Sequence, residues 1–312
     1  MNRHFDVSVV VISFNTRKLT LDCLDSVIQH TRDVIYEVII VDNASTDGSL
    51  KEIEKFTLKH KNTHLVKSKE NLGFGGGNNL GMQKAKGRYI LLLNSDTKLY
   101  EDSISKMVEW MDNHPTVGIS TCKLKNPNGS IQPTGGYMPT LFRLFSWAFF
   151  LDDLPCWSTL FGSYHPHADF YKKQRSLDWI TGAFMLIRRE TYESVGGFDS
   201  NFHMYAEDVE YCYRFKLQGF QLIFVPTTSI THIGGASSTG DVVHFKDSAG
   251  KERSIVGEFE GLKLFYKKHF PSQYSIASTI MKFGAILRMI IFGLFLGQPK
   301  ARKIYVTAFK KI

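Results

Sequence analysis

Cysteine is scarce and scattered in this sequence. Cys23, Cys122, Cys156 and Cys212 form no CxxC pair and no ligand-like cluster, which argues against a disulfide framework and points to free thiols in a reducing compartment. Proline (9) and glycine (25) are too few among 312 residues for a collagen-like chain, and 43% hydrophobic residues exclude a wholly disordered one. The N-terminal apolar run is short and lacks a small-residue cleavage site, so it does not read as a signal peptide, and the body is expected in the cytoplasm. No uninterrupted apolar run reaches the ~20 residues that span a bilayer. The nearest approach, 283–296, is preceded by Lys282 and broken by Arg288. Acidic residues are missing altogether from 263–312, which carries ten Lys and Arg, whereas the first 262 residues hold 28 basic and 30 acidic side chains. The excess charge belongs to the tail, which argues against a nucleic-acid-binding body and for a tail that meets an anionic membrane surface.

What is present alternates in type. Residues 7–12, 36–41, 64–67 and 89–93 read as strands, and helical spacing follows the first two, with Ser49 placed to cap the second helix. Such alternation predicts an α/β fold with a mostly parallel sheet and helices on both faces. In such sheets ligands bind beyond the carboxyl ends of the strands. Those ends carry Ser13 and Asn15, Asp42 and Asn43, and Asn94, Ser95 and Asp96. Residues 124–178 are irregular and aromatic, and read either as loops at a binding face that touches lipid or as an aromatic core. Strand character returns over 179–187 and 222–225, with a helix over 207–217 stopped by Gly219. The tail over 283–296 is expected to be an interfacial amphipathic helix with a basic rim, or else a helix packed on the body.

The segment 71–81 is rich in glycine but fails the dinucleotide pattern, because Asn78 or Leu80 stands where the third glycine belongs; it also lacks a P-loop ending. It reads as a close-approach loop or a plain turn, with Asn78 or Asn79 capping the helix beyond. Asp96 follows an apolar strand, where a carboxylate either shares Mg²⁺ or Mn²⁺ with a diphosphate or caps a helix. Glu207 and Asp208 open a helix, as a general base for a hydroxyl or as complements to the helix dipole. His232 is a metal ligand or a loop hydrogen-bonder.

Together, and in this order, these segments with Gly182, Ala183, Gly197, Phe198 and Asp199 resemble the family-2 inverting glycosyltransferases of the GT-A fold, and are similar to the rhamnosyltransferase branch that builds bacterial cell-surface polysaccharide. The resemblance covers roughly residues 5–270. It implies a GT-A domain over 1–262, with a nucleotide-binding half (about 1–123), an acceptor-binding half (about 124–262) and a membrane-associating tail from 263. It implies donor contacts from Ser13, Asn15, Asp42, Asn43, Asn71, Gly73, Asn78, Asn94 and Ser95, with Asp42 on a uracil- or thymine-type base. Asp96 matches the last aspartate of the DxD motif, Asn94 departs from its first, and His232 completes a site for Mg²⁺ or Mn²⁺. Asp208 matches the catalytic base; Glu207 orients the site and Arg214 holds phosphate or the base. Trp179, Thr181 and Gly182 face the acceptor. The implied partners are a nucleoside-diphosphate sugar, with dTDP-rhamnose favoured over UDP-sugars, a lipid-linked glycan, and the cytoplasmic face of the inner membrane; a homodimer is compatible. A non-catalytic module would lack one of Asp96, Asp208 and His232, and a glycoside hydrolase would need no nucleotide.

Overall fold

The computed structural model describes residues 5–154, 157–202, 205–234 and 248–312. Cys156 lies outside the described residues; Cys23, Cys122 and Cys212 are free and buried.

The apolar runs become β1 (Val7–Ser13), β2 (Tyr36–Asp42) and β4 (Tyr89–Asn94), paired in parallel, with β3 (Thr63–Lys67) parallel to β2 at the edge. The sheet continues through β11 (Phe184–Arg188), β6 (Val117–Lys125), β12 (Gln221–His232) and the short β5 (Thr97–Lys98). β11 runs antiparallel to both neighbours, so the sheet is mixed, and β12 returns parallel to β6. β7 (Ile131–Gln132) pairs with β6 and β9 (Arg175–Leu177) with β12. β8 (Gly135–Gly136) and β10 (Trp179–Ile180) form a separate ribbon. The stretch expected as one strand over 179–187 is therefore two, divided at Thr181, Gly182 and Ala183.

Alternating strand residues feed two cores, as a period of two requires. Val7, Val9 and Val11 meet α1 (Arg17–His30), α2 (Ser49–Lys59) and α4 (Ser103–Asp112), while Val10, Ile39 and Leu92 meet α3 (Gly73–Lys84) on the other face. The second core also takes Val209, Cys212 and Phe215. Two expected caps fall differently. Ser49 is the first helical residue, and Asp47 Oδ1 accepts its N–H at 2.9 Å. The glycine-rich segment is itself helix α3, with Asn78 and Asn79 inside it. Its glycines are needed for contact: a Cβ at Gly81 would lie 2.3 Å from Val10, on the strand below.

Residues 124–178 hold α5 (Leu141–Ala148) and α6 (Trp157–Phe161) as well as loops. After α7 (Arg189–Val195) and α8 (Glu207–Leu217), β12 runs on past Pro226, through a register irregularity between Val225 and Ser229, to end at His232. α9 (Ser248–His269) passes through residue 262 without a break, followed by α10 (Tyr274–Arg288), a π-helical turn (Met289–Phe295) and α11 (Pro299–Lys311). Ala277, Met281, Ala285 and Ala308 belong to the same core as α3 and α8. Arg288, expected on the basic rim of an interfacial helix, is buried instead. Its guanidinium donates to the carbonyls of Trp147 and Ala148 at the end of α5, where helix carbonyls lack partners and favour a cation. Pro271–Gly293 is nevertheless long and apolar enough to cross a membrane by length and composition, with a third of it buried against the body.

Candidate active site

At the carboxyl edge of β2, Asp42 is buried. Its Oδ2 accepts Ser45 N at 3.2 Å, and its Oδ1 is buried with no hydrogen-bond partner among the described residues. An unsatisfied buried acceptor is costly unless a ligand completes it. The surrounding polar groups are braces. Asn43 Nδ2 donates to Asn71 Oδ1 (2.9 Å) and Gly73 O (3.1 Å), and its Oδ1 accepts Leu72 N (3.0 Å), which ties the entry of α3 to β2. Asn15, at φ 54°, accepts Thr46 N at 2.7 Å. Thr20 Oγ1 donates to Ser13 Oγ at 3.0 Å, and Thr16 Oγ1 links Thr20 to Ser95 Oγ. Asn78 Nδ2 donates to Phe74 O within α3.

At the end of β4, three side chains from two strands meet. His232 Nε2 lies 3.2 Å from Asp96 Oδ1 and 3.3 Å from Asn94 Nδ2. His232 Nδ1 lies 2.7 Å from Gln132 Oε1, which can only accept, so Nδ1 carries the proton. In the neutral ring Nε2 is then the lone-pair nitrogen beside a carboxylate oxygen, a pair that a divalent ion such as Mn²⁺ can share. Among the described residues no three His, Cys, Asp or Glu side chains converge on one point. A divalent ion bound here would have Asp96 and His232 as its protein ligands, with phosphate and water in the other positions. Gln132 had no sequence signal: it lies 100 residues from His232 and only the fold joins them.

A cavity of about 310 Å³ opens from this edge. Asn94, His232, Trp179, Thr181, Gly182, Glu207 and Asp208 line it, with Phe74, Tyr164, His165, Tyr205, Ser254 and Glu258. Tyr205 and Ala206 both have left-handed φ (70° and 64°) directly before Glu207, a strain that turns the start of α8 into the cavity. Burial pushes both carboxyls up, Asp208 to about 6 and Glu207 to about 8, the latter raised further by the Asp208 charge. Asp208 Oδ1 accepts its neighbour's Val209 N at 2.9 Å. Glu207 Oε2 and Trp179 Nε1 are buried without hydrogen-bond partners among the described residues. A Cβ at Gly182 would lie 2.3 Å from the tip of the Phe74 ring, so a side chain there would require that ring to move. His165 and Glu258 are hydrogen-bonded to each other across 93 residues, again beyond reach of local sequence patterns.

Arg214 does not reach this cavity. Its Nε donates to both oxygens of buried Glu210 at 3.1 Å, and its other nitrogens donate to Val195 O and Gly197 O. Glu210 also holds Lys268 and His269 from α9. The guanidinium locks the 195–197 turn to α8.

The comparisons agree with this architecture. The family model described as "Glycosyl transferase family 2" matches residues 8–196. The N-acetylglucosaminyl-diphospho-decaprenol L-rhamnosyltransferase of Mycobacterium tuberculosis is 28% identical over 220 residues, 65% of this chain and 68% of that one. The O-antigen biosynthesis protein RfbC of Myxococcus xanthus is 30% identical over 241 residues, 76% of this chain and 18% of that protein. Among solved structures, the mannosyltransferase PcManGT of Pyrobaculum calidifontis, in complex with GDP-Man and Mn²⁺, superposes with a TM-score of 0.61 at 18% identity, covering 99% of this chain and 87% of that one. That likeness extends through the C-terminal helices and supports the GT-A fold. A family match over more than half of the chain makes this protein a member of glycosyltransferase family 2.

Proposed function

We propose that the protein moves a sugar, with inversion, from a nucleoside-diphosphate donor to a hydroxyl of a lipid-linked glycan at the cytoplasmic membrane face. The observation that carries this reading is the shared cavity: the Asp208 carboxyl and the His232–Asn94 edge open into one space. A weakly nucleophilic acceptor hydroxyl needs its proton removed as it attacks, and Asp208 takes that proton. The new bond forms at the anomeric carbon as its bond to the diphosphate oxygen breaks on the opposite side. Glu207, raised to about 8, stays protonated near neutral pH and donates a hydrogen bond rather than competing as a base. A divalent ion on Asp96 and His232 would neutralise charge on the departing diphosphate. Asp42 Oδ1, buried and without a partner among the described residues, would accept the imide N–H that thymine and uracil share.

The L-rhamnosyltransferase relative supports rhamnose as the sugar moved; dTDP-rhamnose is the donor proposed first and UDP-sugars second, because an acceptor at Asp42 suits either base. For the membrane, Phe283, Phe295 and Leu296 are exposed apolar groups on a chain end rich in Lys and Arg, and Phe142, Phe145 and Phe161 of α5 and α6 are exposed as well. The test is release of nucleoside diphosphate from dTDP-rhamnose, UDP-glucose and UDP-galactose in the presence of a lipid-linked glycan acceptor, each with and without Mn²⁺. Metal-dependent turnover greatest with dTDP-rhamnose supports the full reading. Turnover with UDP-sugars alone replaces the donor, and no turnover with any nucleotide sugar contradicts the reading.

A further inference from the structure

A second cavity, of about 300 Å³, lies next to the one that holds Asp208, and the two share His165 and Glu258. It is enclosed by the 147–153 segment on one side and by α9, the π-helical turn and α11 on the other. Nothing in the reaction derived above uses it. Its volume falls at the lower end of the range of small-molecule sites.

Its lining selects a ligand class. Trp147 forms one wall, and Phe292 and Tyr305, stacked at 14° with ring centres 5.9 Å apart, form another. Asp152, Asp153 and Glu258 place three carboxyls around the same space. Arg288 donates to the Trp147 and Ala148 carbonyls and lies over the rings of Trp147 (4.9 Å) and Phe150 (4.3 Å), so its hydrogen bonds are already directed at protein, and His165 is hydrogen-bonded to Glu258. With Glu258 paired to His165 and Arg288 committed to carbonyls, the lining residues described leave phosphate no free cation and set Asp152 and Asp153 against it. Aromatic side chains combined with carboxyl acceptors suit a neutral ligand that carries many hydroxyls on an apolar ring. A pyranose has that chemistry.

We propose that this cavity is a saccharide subsite, which receives a neutral pyranoside unit next to the one attacked at Asp208, with the His165–Glu258 pair as the boundary between them. It rests on the glycan-acceptor reading above. On this account the C-terminal helices form one wall of the acceptor site as well as facing the membrane.

The test uses the full chain and four probes: the methyl glycosides of rhamnose, glucose, galactose and N-acetylglucosamine, followed by saturation-transfer NMR and by tryptophan fluorescence. Inorganic pyrophosphate and dTDP are titrated in parallel. The expected result is saturable binding of at least one glycoside at millimolar concentration or tighter, a fluorescence change lost in Trp147→Phe, and affinity reduced about tenfold, equivalent to ~1.4 kcal/mol, in Ile255→Trp, which fills the cavity from α9. Tyr305→Phe, a gentler change, should weaken the same glycoside several-fold if Ile255→Trp fails to fold. dTDP affinity should not change in any folded variant. No glycoside binding beside normal dTDP binding overturns this subsite alone, as does glycoside binding that survives both cavity variants, or pyrophosphate binding that Ile255→Trp abolishes. Loss of dTDP binding in the unaltered protein overturns the functional reading beneath it.

Discussion

Gln132 Oε1 lies 2.7 Å from His232 Nδ1 and so decides which imidazole nitrogen faces Asp96. Orienting partners of this kind typically contribute 10–100-fold to metal affinity. Gln132→Ala should therefore weaken Mn²⁺ binding by about that factor in the presence of dTDP, read by electron paramagnetic resonance of free Mn²⁺. Unchanged affinity would show that His232 is oriented by other contacts or is not a ligand.

The acid limb of activity reports the base. Asp208 is raised to about 6 mainly by burial, and the nearby Glu258 charge raises it further. The active form is the carboxylate, so kcat/KM should be full above that pH and fall about tenfold per unit below it. Removing a like charge lowers the pKa, so Glu258→Gln should move this limb to lower pH. A limb that stays in place in this variant contradicts the electrostatic coupling.

Glu207 gives a stability prediction of opposite sign to the usual carboxylate. Its folded value, about 8, lies above its ordinary value of 4.5, so the folded state holds the proton more tightly. The stabilising contribution is complete below pH ~4.5 and is lost as pH rises through about 8. Glu207→Gln keeps a neutral group of similar shape, so its melting temperature relative to the parent should improve from pH 5 to pH 9. A difference independent of pH would mean that Glu207 is ionised in the folded protein.

Arg214 is predicted to act on structure. Arg214→Ala removes the bidentate partner of buried Glu210 and two carbonyl bonds, which should cost about 2–4 kcal/mol in denaturant unfolding while dTDP affinity persists in the folded fraction. A stable variant with weakened dTDP binding would return Arg214 to the donor site.

The parallel strands were legible because β1, β2 and β4 are buried on both faces and read as unbroken apolar runs. Asp42, Asp96 and Asp208 were legible because each stands where such a strand or the α8 helix meets the sheet edge. Segment 71–81 was misread because five glycines in eleven residues signal a turn by propensity. Packing overrode it: Gly77 and Gly81 let α3 settle onto Ile12 and Val10. β12 extends through Pro226, which local rules treat as a stop, because the strand resumes pairing with β6 at Ser229. Gln132, His165 and Glu258 act through pairings 93 to 100 residues apart, which no local pattern encodes. Arg288 looked like a surface charge because nothing near it in sequence shows the open carbonyls of α5.

The most direct test of the central claim is Asp208→Asn, measured for turnover and for donor affinity in the same preparation. A general base contributes ~10²–10⁴-fold, so kcat should fall by at least a hundredfold while the donor dissociation constant stays within about a factor of three. A variant that keeps more than about a tenth of parental turnover would contradict the assignment of Asp208 as the base, because its amide cannot accept the acceptor's proton.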